Sequence, residues 1–228
     1  MALEIDAAGI ATVQIVGPDK NLLNPSVMQA VAADLKAADS DEAVKAILIT
    51  GAGDFFCGGL DLAGIRAGGD PLEYAANLAE LLKVFPNLSK PIAAAVNGDA
   101  VASGSSIVAA CDFAVSTPEA KIGSYEVAVG VWPMVAQVPL IKRLGARAAM
   151  ENIGSGNPFT AQRAQEVGLV NEVAEAPNLI AATKTWLGYA TRGGAANAGR
   201  ITYYQLAEMT YDAALDAALD KFAAQFRK

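Results

Sequence analysis

Apolar positions recur at two different spacings along this chain, and the spacing changes with position. Leu3–Asp6 and Ile10–Val16 flank an Ala-Ala-Gly turn at 7–9, which predicts a β-hairpin. Asn24-Pro25-Ser26 opens a helix running to about Ala38: Pro25 and Ser26 suit a first turn, and Val27, Val31 and Leu35 follow at helical spacing. Val44–Thr50 is a short apolar run ended by Gly51-Ala52-Gly53, and reads as a buried strand. Phe55–Leu62 is a glycine turn feeding a short helix, and Pro71–Phe85 is an amphipathic helix with Leu78, Leu81 and Leu82 on one face. Pro91–Val96 and Asp112–Ser116 are two further strands, separated by an Ala/Ser/Gly-rich segment.

Strand, glycine-rich turn, helix and strand thus repeat, which predicts right-handed βαβ connections in an α/β fold. From Met134 onward the pattern is mostly helical, over about 134–144, 145–153, 160–167, 176–190 and 200–226, with Leu169–Val173 as one more strand. Arg192-Gly193-Gly194 is the expected mobile joint. Leu215, Leu219, Phe222 and Phe226 form an apolar stripe on the last helix, which is expected to pack on its own or a neighbouring subunit.

Composition narrows the function. The chain has 228 residues, 53% of them hydrophobic, which is ample for a packed core. A formal charge of −7 argues against a nucleic-acid footprint, which needs a basic face. The absence of His removes Ser-His-Asp and Cys-His nucleophile pairs. A metal site built from carboxylates and the distant Cys57 and Cys111 is not expected, and neither is a disulfide framework. The N-terminus has no basic segment, so no signal peptide is expected. Pro91–Ala110 is nearly charge-free but broken by polar residues and glycines, so no membrane span is expected. These features predict a cytoplasmic protein.

Two glycine-rich strand-to-helix junctions carry candidate chemistry, Gly58-Gly59-Leu60-Asp61 and Ala102-Ser103-Gly104-Ser105. Free N–H groups at a helix start can face a polarised carbonyl, and two converging donors make an oxyanion hole. Taken alone, each junction reads more readily as a tight turn. Glu126 is the one acid between Lys121 and Glu151. It reads either as a loop glutamate or as a carboxyl able to accept and return a proton. Asp61 reads as a helix cap, Asp112 as structural, and Cys57 and Cys111 as buried inert thiols. Lys142, Arg143 and Arg147 read as solvated faces or subunit contacts, and Lys20 and Arg66 as phosphate contacts or surface charges.

The chain resembles the crotonase (enoyl-CoA hydratase/isomerase) superfamily over nearly its whole length. Phe56-Cys57-Gly58-Gly59-Leu60-Asp61-Leu62 is similar to the family's F-C-A-G-A-D-L, and Lys90–Gly98 to K-P-V-I-A-A-V-N-G. Cys111-Asp112 matches the family's C-D, Gly123-Ser124-Tyr125-Glu126 with Gly130 and Pro133 resembles G-x-P-E followed by G-L-x-P, and Gly168–Asn171 resembles G-L-V-N.

The resemblance implies a crotonase/ClpP-like spiral of ββα units spanning 1–190, and a helical trimerisation region at 191–228. It implies a homotrimer or dimer of trimers and an acyl-CoA thioester as substrate, with no metal or separate cofactor. The oxyanion hole would be the N–H groups of Leu60 and Ser103, within a turn that includes Gly59, Asp61 and Gly104. Lys20-Asn21-Leu22 would lie at the CoA site; Tyr125 and Trp132 could line the substrate pocket of another reaction of this fold, although bulky aromatics beside such a loop more often read as core.

The departures sharpen the expectation. Ser103 replaces the middle glycine of G-G-G, so its side chain is expected to turn away from the thioester. The first glutamate of family hydratases falls on Ser106, and the second is retained as Glu126. Hydration uses both carboxylates, and loss of one acid/base partner costs about 10²–10⁴ in rate. Moving a double bond needs one carboxyl and an enolate site, so isomerisation of an enoyl-CoA is the expected reaction. Hydration or another lyase reaction of this fold is the alternative within the class, and non-catalytic acyl-CoA binding is the alternative outside it.

Overall fold

The computed structural model of the chain describes residues 3–225. Its strands are β1 (Glu4–Ile5), β2 (Ile10–Ile15), β3 (Ala46–Gly51), β4 (Ile92–Val96), β5 (Ala100–Val101), β6 (Phe113–Ser116), β7 (Lys121–Gly123), β8 (Phe159–Thr160) and β9 (Glu172–Val173). Its helices are α1 (Pro18–Asn21), α2 (Pro25–Ser40), α3 (Leu62–Arg66), α4 (Pro71–Asn87), α5 (Ser103–Ala110), α6 (Gln137–Ile153), α7 (Ala161–Glu166), α8 (Leu179–Ala190), α9 (Ala195–Ala207) and α10 (Tyr211–Gln225).

The larger sheet has the order β1-β2-β3-β4-β6-β9, and the smaller has β5-β7-β8. β1 pairs antiparallel with β2 as the predicted hairpin, and β2, β3, β4, β6 and β9 run parallel. β4 and β6 lie in the large sheet, and the strands that directly follow them, β5 and β7, lie in the small one. Successive turns of chain therefore advance along two sheets at once, as a spiral.

β3 and β4 are buried along their whole length, as central parallel strands covered on both faces must be. Their alternate residues serve two cores. Ile47, Ile49, Ala94 and Val96 face α2 and α4 residues such as Leu35, Leu81 and Phe85. Ala46, Leu48, Ala93 and Ala95 face α8, where Leu187 is buried and Trp186 stacks on Phe113 at 4.8 Å.

Several expectations need correction. The smaller sheet was not predicted, because strands of two or three residues carry no readable alternation. The strand expected over Leu169–Val173 shrinks to Glu172–Val173; Leu169 and Val170 instead donate to the Ala164 carbonyl at the end of α7. The two helices expected over 134–153 form one run broken at Gly145, whose φ is +73°. The segment 200–226 is two helices rather than one. Phe226, the end of the apolar stripe, lies outside the described residues.

Arg143, expected on a solvated face or at a subunit contact, and two further cationic side chains also hold the fold. Arg143 donates to the carbonyls of Ala109 and Cys111, satisfying the end of α5. Lys90 is buried and donates to the carbonyls of Ala38 and Asp41 at the end of α2; desolvation holds its pKa below the usual lysine value. Arg200 of α9 is also buried. It donates to both carboxylate oxygens of Asp112, at 2.7 and 2.8 Å, and to the carbonyls of Phe85 and Leu88. Among the described residues, no helix is long and apolar enough to cross a membrane.

Candidate active site

The two glycine-rich junctions meet. Leu23 and Leu60 form a parallel bridge in which Leu23 donates to the Gly59 carbonyl at 2.8 Å and accepts from the Asp61 N–H at 3.0 Å. In a parallel ladder the residue between two such bonds points its own peptide groups the other way, so the Leu60 N–H faces away from Leu23. Cys57 bridges to Ala100, and its carbonyl accepts from Val101 at 3.0 Å. These bonds bring the first junction against the second.

Two glycines make that approach possible. A Cβ on Gly59, whose φ is +87°, would sit 2.6 Å from the Ala102 Cβ and 3.2 Å from the Ser103 nitrogen. A Cβ on Gly104 would sit 2.3 Å from the Cys57 carbonyl oxygen. Among the described residues, neither the Leu60 N–H nor the Ser103 N–H has a hydrogen-bond acceptor. Ala102 is the strained member. It holds φ +51° and ψ −128°, a conformation that suits glycine.

Glu126 arrives from β7. The Gly123 carbonyl accepts from Ala102 N–H at 2.9 Å, tying this strand to the second junction. The buried Asn152 of α6 accepts from the Ser124 N–H at 2.7 Å and donates to the Ser124 and Asn157 carbonyls at 2.8 and 2.9 Å. Two residues on, Glu126 opens a 3₁₀ turn. Its Oε2 accepts from Ser124 Oγ at 2.5 Å and from the Tyr125 N–H at 3.0 Å, while Oε1 has no protein partner among the described residues. One carboxylate oxygen is therefore anchored and the other is open.

These elements enclose a cleft of about 190 Å³. Leu60, Ser103, Tyr125, Glu126 and Trp132 all line it, and Glu126 is the one acid among its lining residues. Most of the remaining wall is aliphatic, from Leu62 and Leu78 on one side to Val131 and Met134 on the other. The arrangement brings two residues with unpaired N–H groups and one carboxylate residue to a largely apolar space, which suits a ligand with a polarised carbonyl and an apolar tail.

The other sequence-derived site residues lie outside the lining of this cleft. Asn21 is buried, and its amide donates to the carbonyls of Ala52 and Phe55 at 2.9 and 2.7 Å, so it clamps the chain. The Lys20 carbonyl accepts from Gly58 at 2.9 Å, and its exposed ammonium lies 5.4 Å from the Phe55 ring centre. Leu22 packs beside Gly58. Asp61 caps α3 through the Gly64 N–H at 2.9 Å, and Gly59 and Gly104 serve the close approach of the junctions.

Ser106 is wholly buried and donates to the Ala136 carbonyl at 2.6 Å, so its hydroxyl ties α5 to the wall of the cleft. Both thiols are buried. Desolvation pushes Cys57 up to about 12, and Cys111 is also pushed up. Sequence reasoning missed Asn152 and Ser124, whose importance rests on pairing across 28 residues rather than on any local pattern.

The spiral of two sheets with a cleft at converging junctions defines the fold class. An enoyl-CoA hydratase from Mycobacterium smegmatis superposes with a TM-score of 0.91 at 27% identity, covering 99% of this chain and 90% of that one. An enoyl-CoA hydratase/isomerase family protein from Silicibacter pomeroyi superposes at 0.88 and 26% identity, covering 97% of each chain. The fold is therefore the crotonase fold. Residues 6–221 match the family model described as enoyl-CoA hydratase/isomerase, and the chain belongs to that family.

A putative enoyl-CoA hydratase from Thermus thermophilus is 30% identical over 178 residues, 75% of this chain and 70% of that protein. The peroxisomal bifunctional enzyme of Cavia porcellus is 31% identical over 178 residues, 77% of this chain. This chain spans only 24% of the length of that enzyme and 26% of a peroxisomal fatty acid beta-oxidation multifunctional protein from Oryza sativa.

Proposed function

We propose that this chain is an enoyl-CoA isomerase that moves a double bond from C3–C4 to C2–C3 of an acyl-CoA thioester. The observation that carries the reading is that Glu126 is the one acid lining a cleft also lined by Leu60 and Ser103, whose backbone N–H groups have no acceptor among the described residues. The two N–H groups hold the thioester oxygen as negative charge develops on it. The open Oε1 of Glu126 takes a proton from C2 to give a dienolate. The resulting carboxylic acid returns that proton to C4, the C2–C3 double bond forms, and the thioester carbonyl is restored. The anchored Oε2 keeps the group oriented through both steps.

No separate cofactor enters the reaction, and coenzyme A arrives as part of the substrate. A reducing, cytoplasmic setting suits the two buried thiols. We also propose a homotrimer or a dimer of trimers, because Leu215, Leu219 and Phe222 of α10 are exposed by more than half.

Hydration is the second reading. It is favoured by the hydratase names of the relatives and by Tyr125, a second titratable side chain on the cleft wall. NMR in D₂O with a panel of 2-enoyl- and 3-enoyl-CoA esters separates the readings. Double-bond shift with deuterium at C2 or C4, lost in Glu126→Gln, is the expected result. Water addition without double-bond shift selects the hydratase. Tight binding without any exchange selects a non-catalytic acyl-CoA binder.

A further inference from the structure

Ser103 stands where the family pattern has glycine, and the structure gives its hydroxyl nothing to do. The residue is 2% exposed and lines the cleft, yet its Oγ has no hydrogen-bond partner among the described residues. It is not sealed in the packing either. Among the described residues the one side-chain polar atom both fully enclosed and unpartnered is Ser116 Oγ, so Ser103 Oγ keeps access to open space. Its neighbours are all satisfied: Ser105 Oγ donates to Ala102 at 2.7 Å, and Ser106 Oγ to Ala136 at 2.6 Å. A hydroxyl that faces open space at the wall of the cleft and has no protein partner is free to bond a group that enters the cleft.

Its position says which atom that is. Ser103 is the first residue of the eight-residue α5, and its own N–H is also without an acceptor. A serine Oγ and its own amide nitrogen are separated by only three bonds, so an acceptor that approaches the N–H comes within reach of the hydroxyl as well. The rest of the cleft wall offers few rivals: apart from Glu126, its polar side chains are Tyr125 and Trp132, and the Trp132 Nε1 is already bonded to Gln137 Oε1 at 3.0 Å.

Contrary to the expectation that its side chain turns away from the thioester, Ser103 lines the cleft with no bond drawing its hydroxyl elsewhere, and we infer that this hydroxyl is a third donor to the thioester oxygen, added to the two backbone N–H groups. The inference rests on the proposed use of this cleft for an acyl-CoA thioester. A glycine here supplies one hydrogen bond through its amide, whereas Ser103 supplies two from one residue. The hydroxyl donates more strongly as the oxygen becomes an enolate, so its effect falls on the reaction step more than on binding.

The test uses a saturated acyl-CoA labelled with ¹³C at the thioester carbonyl, bound to the full chain and read by isotope-edited infrared difference spectroscopy. Binding to the wild-type protein is expected to lower the carbonyl stretching frequency. Ser103→Ala removes one oxygen atom and is expected to bind the ester while losing a measurable part of that downshift, and Ser103→Gly is expected to behave alike. The rate of C2 proton exchange is expected to fall by about 10- to 100-fold in Ser103→Ala, with KM changed by less than about twofold. A downshift identical in wild type and Ser103→Ala overturns the inference, as does the absence of any downshift in the wild type. Glu126→Gln separates this from the reaction itself, since it is expected to abolish exchange and keep the full downshift. A Ser103-dependent downshift in a wild-type protein without exchange upholds the third donor and overturns the isomerase reading.

Discussion

Asn152 brackets the peptide groups of Ser124, accepting its N–H at 2.7 Å and donating to its carbonyl at 2.8 Å. Ser124 in turn donates to Glu126 Oε2, so the orientation of the open carboxylate oxygen depends on a side chain of α6. Gly123 leaves room for this contact, since a Cβ there would lie 2.7 Å from Asn152 Oδ1. Asn152→Ala is expected to cost about 2–4 kcal/mol, because buried backbone groups lose their partners. Under the proposed reading, turnover is expected to suffer through kcat, with KM for the CoA ester little changed. Asn152→Asp retains the acceptor and loses the two donations, and is expected to fall between. Urea unfolding and steady-state kinetics on the same samples check both effects.

Ala102 sits between the two candidate oxyanion donors with φ +51°, in contact range of Gly59. Strain of this kind costs about 1–3 kcal/mol, and the extra unfolded-state freedom of a glycine offsets about 0.5–1 kcal/mol of any relief. Ala102→Gly is therefore expected to stabilise the chain, by about 1 kcal/mol. The Leu60 and Ser103 N–H groups keep their places, so proton exchange at C2 is expected to persist. A lower thermal midpoint for the variant, measured by calorimetry, would show that the methyl contributes more by packing than it costs in strain.

Most of this was legible before the structure where apolar runs were long. Ile47–Ile49, Ile92–Val96 and the Leu78/Leu81 face announced the central sheet and its helices, because burial on two faces demands such runs. Each candidate junction was legible as a glycine-rich turn, but that the two converge was suggested by the family resemblance and not by local pattern. Their convergence depends on contacts between Gly59 and Ala102, and between Cys57 and Gly104, more than 40 residues apart in sequence. Polar roles were the least legible. Asn21, Arg143 and Ser106 look like ligands, surface charge or lost catalyst, yet each satisfies backbone carbonyls inside the fold. Such roles are set by which carbonyls a distant segment leaves unpaired, and local pattern does not carry that information.

Asp6 closes the hairpin turn and binds α8. It accepts from the N–H groups of Ala8 and Ile10 at 2.9 and 3.0 Å, and from Lys184 at 2.7 Å. The Lys184 bond, with the backbone bonds, holds its carboxyl below the usual aspartate value. A carboxyl depressed in the folded state contributes stability above its unfolded pKa, near 4, and loses it as pH falls through the folded value. Both partners are about one-third exposed, so solvent screens the pair. Asp6→Asn keeps the turn acceptor and removes the charge. The loss of urea stability between pH 5 and pH 2 is expected to be smaller in the variant, and an unchanged loss would assign the acid sensitivity elsewhere.

Arg200 carries the attachment of α9 to the sheet and α4. Its side chain is 5% exposed and meets an Asp112 side chain that is 16% exposed, in a bidentate pair. Tyr204 adds a hydroxyl bond to Asp112 Oδ1 at 2.6 Å, and Asp112 also accepts from the Ile92 N–H at 2.9 Å. Burial beside that carboxylate pushes the Tyr204 phenol up. Removing the arginine leaves a carboxylate and two helix-end carbonyls without their cation, and breaking such a pair costs about 3–5 kcal/mol. Arg200→Met is thus expected to lower stability by that order. If α9 and α10 carry the subunit contacts, the variant also dissociates at concentrations where the wild type stays assembled, which sedimentation velocity reads directly. Arg200→Lys is expected to rescue little, because an ammonium cannot span both carboxylate oxygens and the two carbonyls at once.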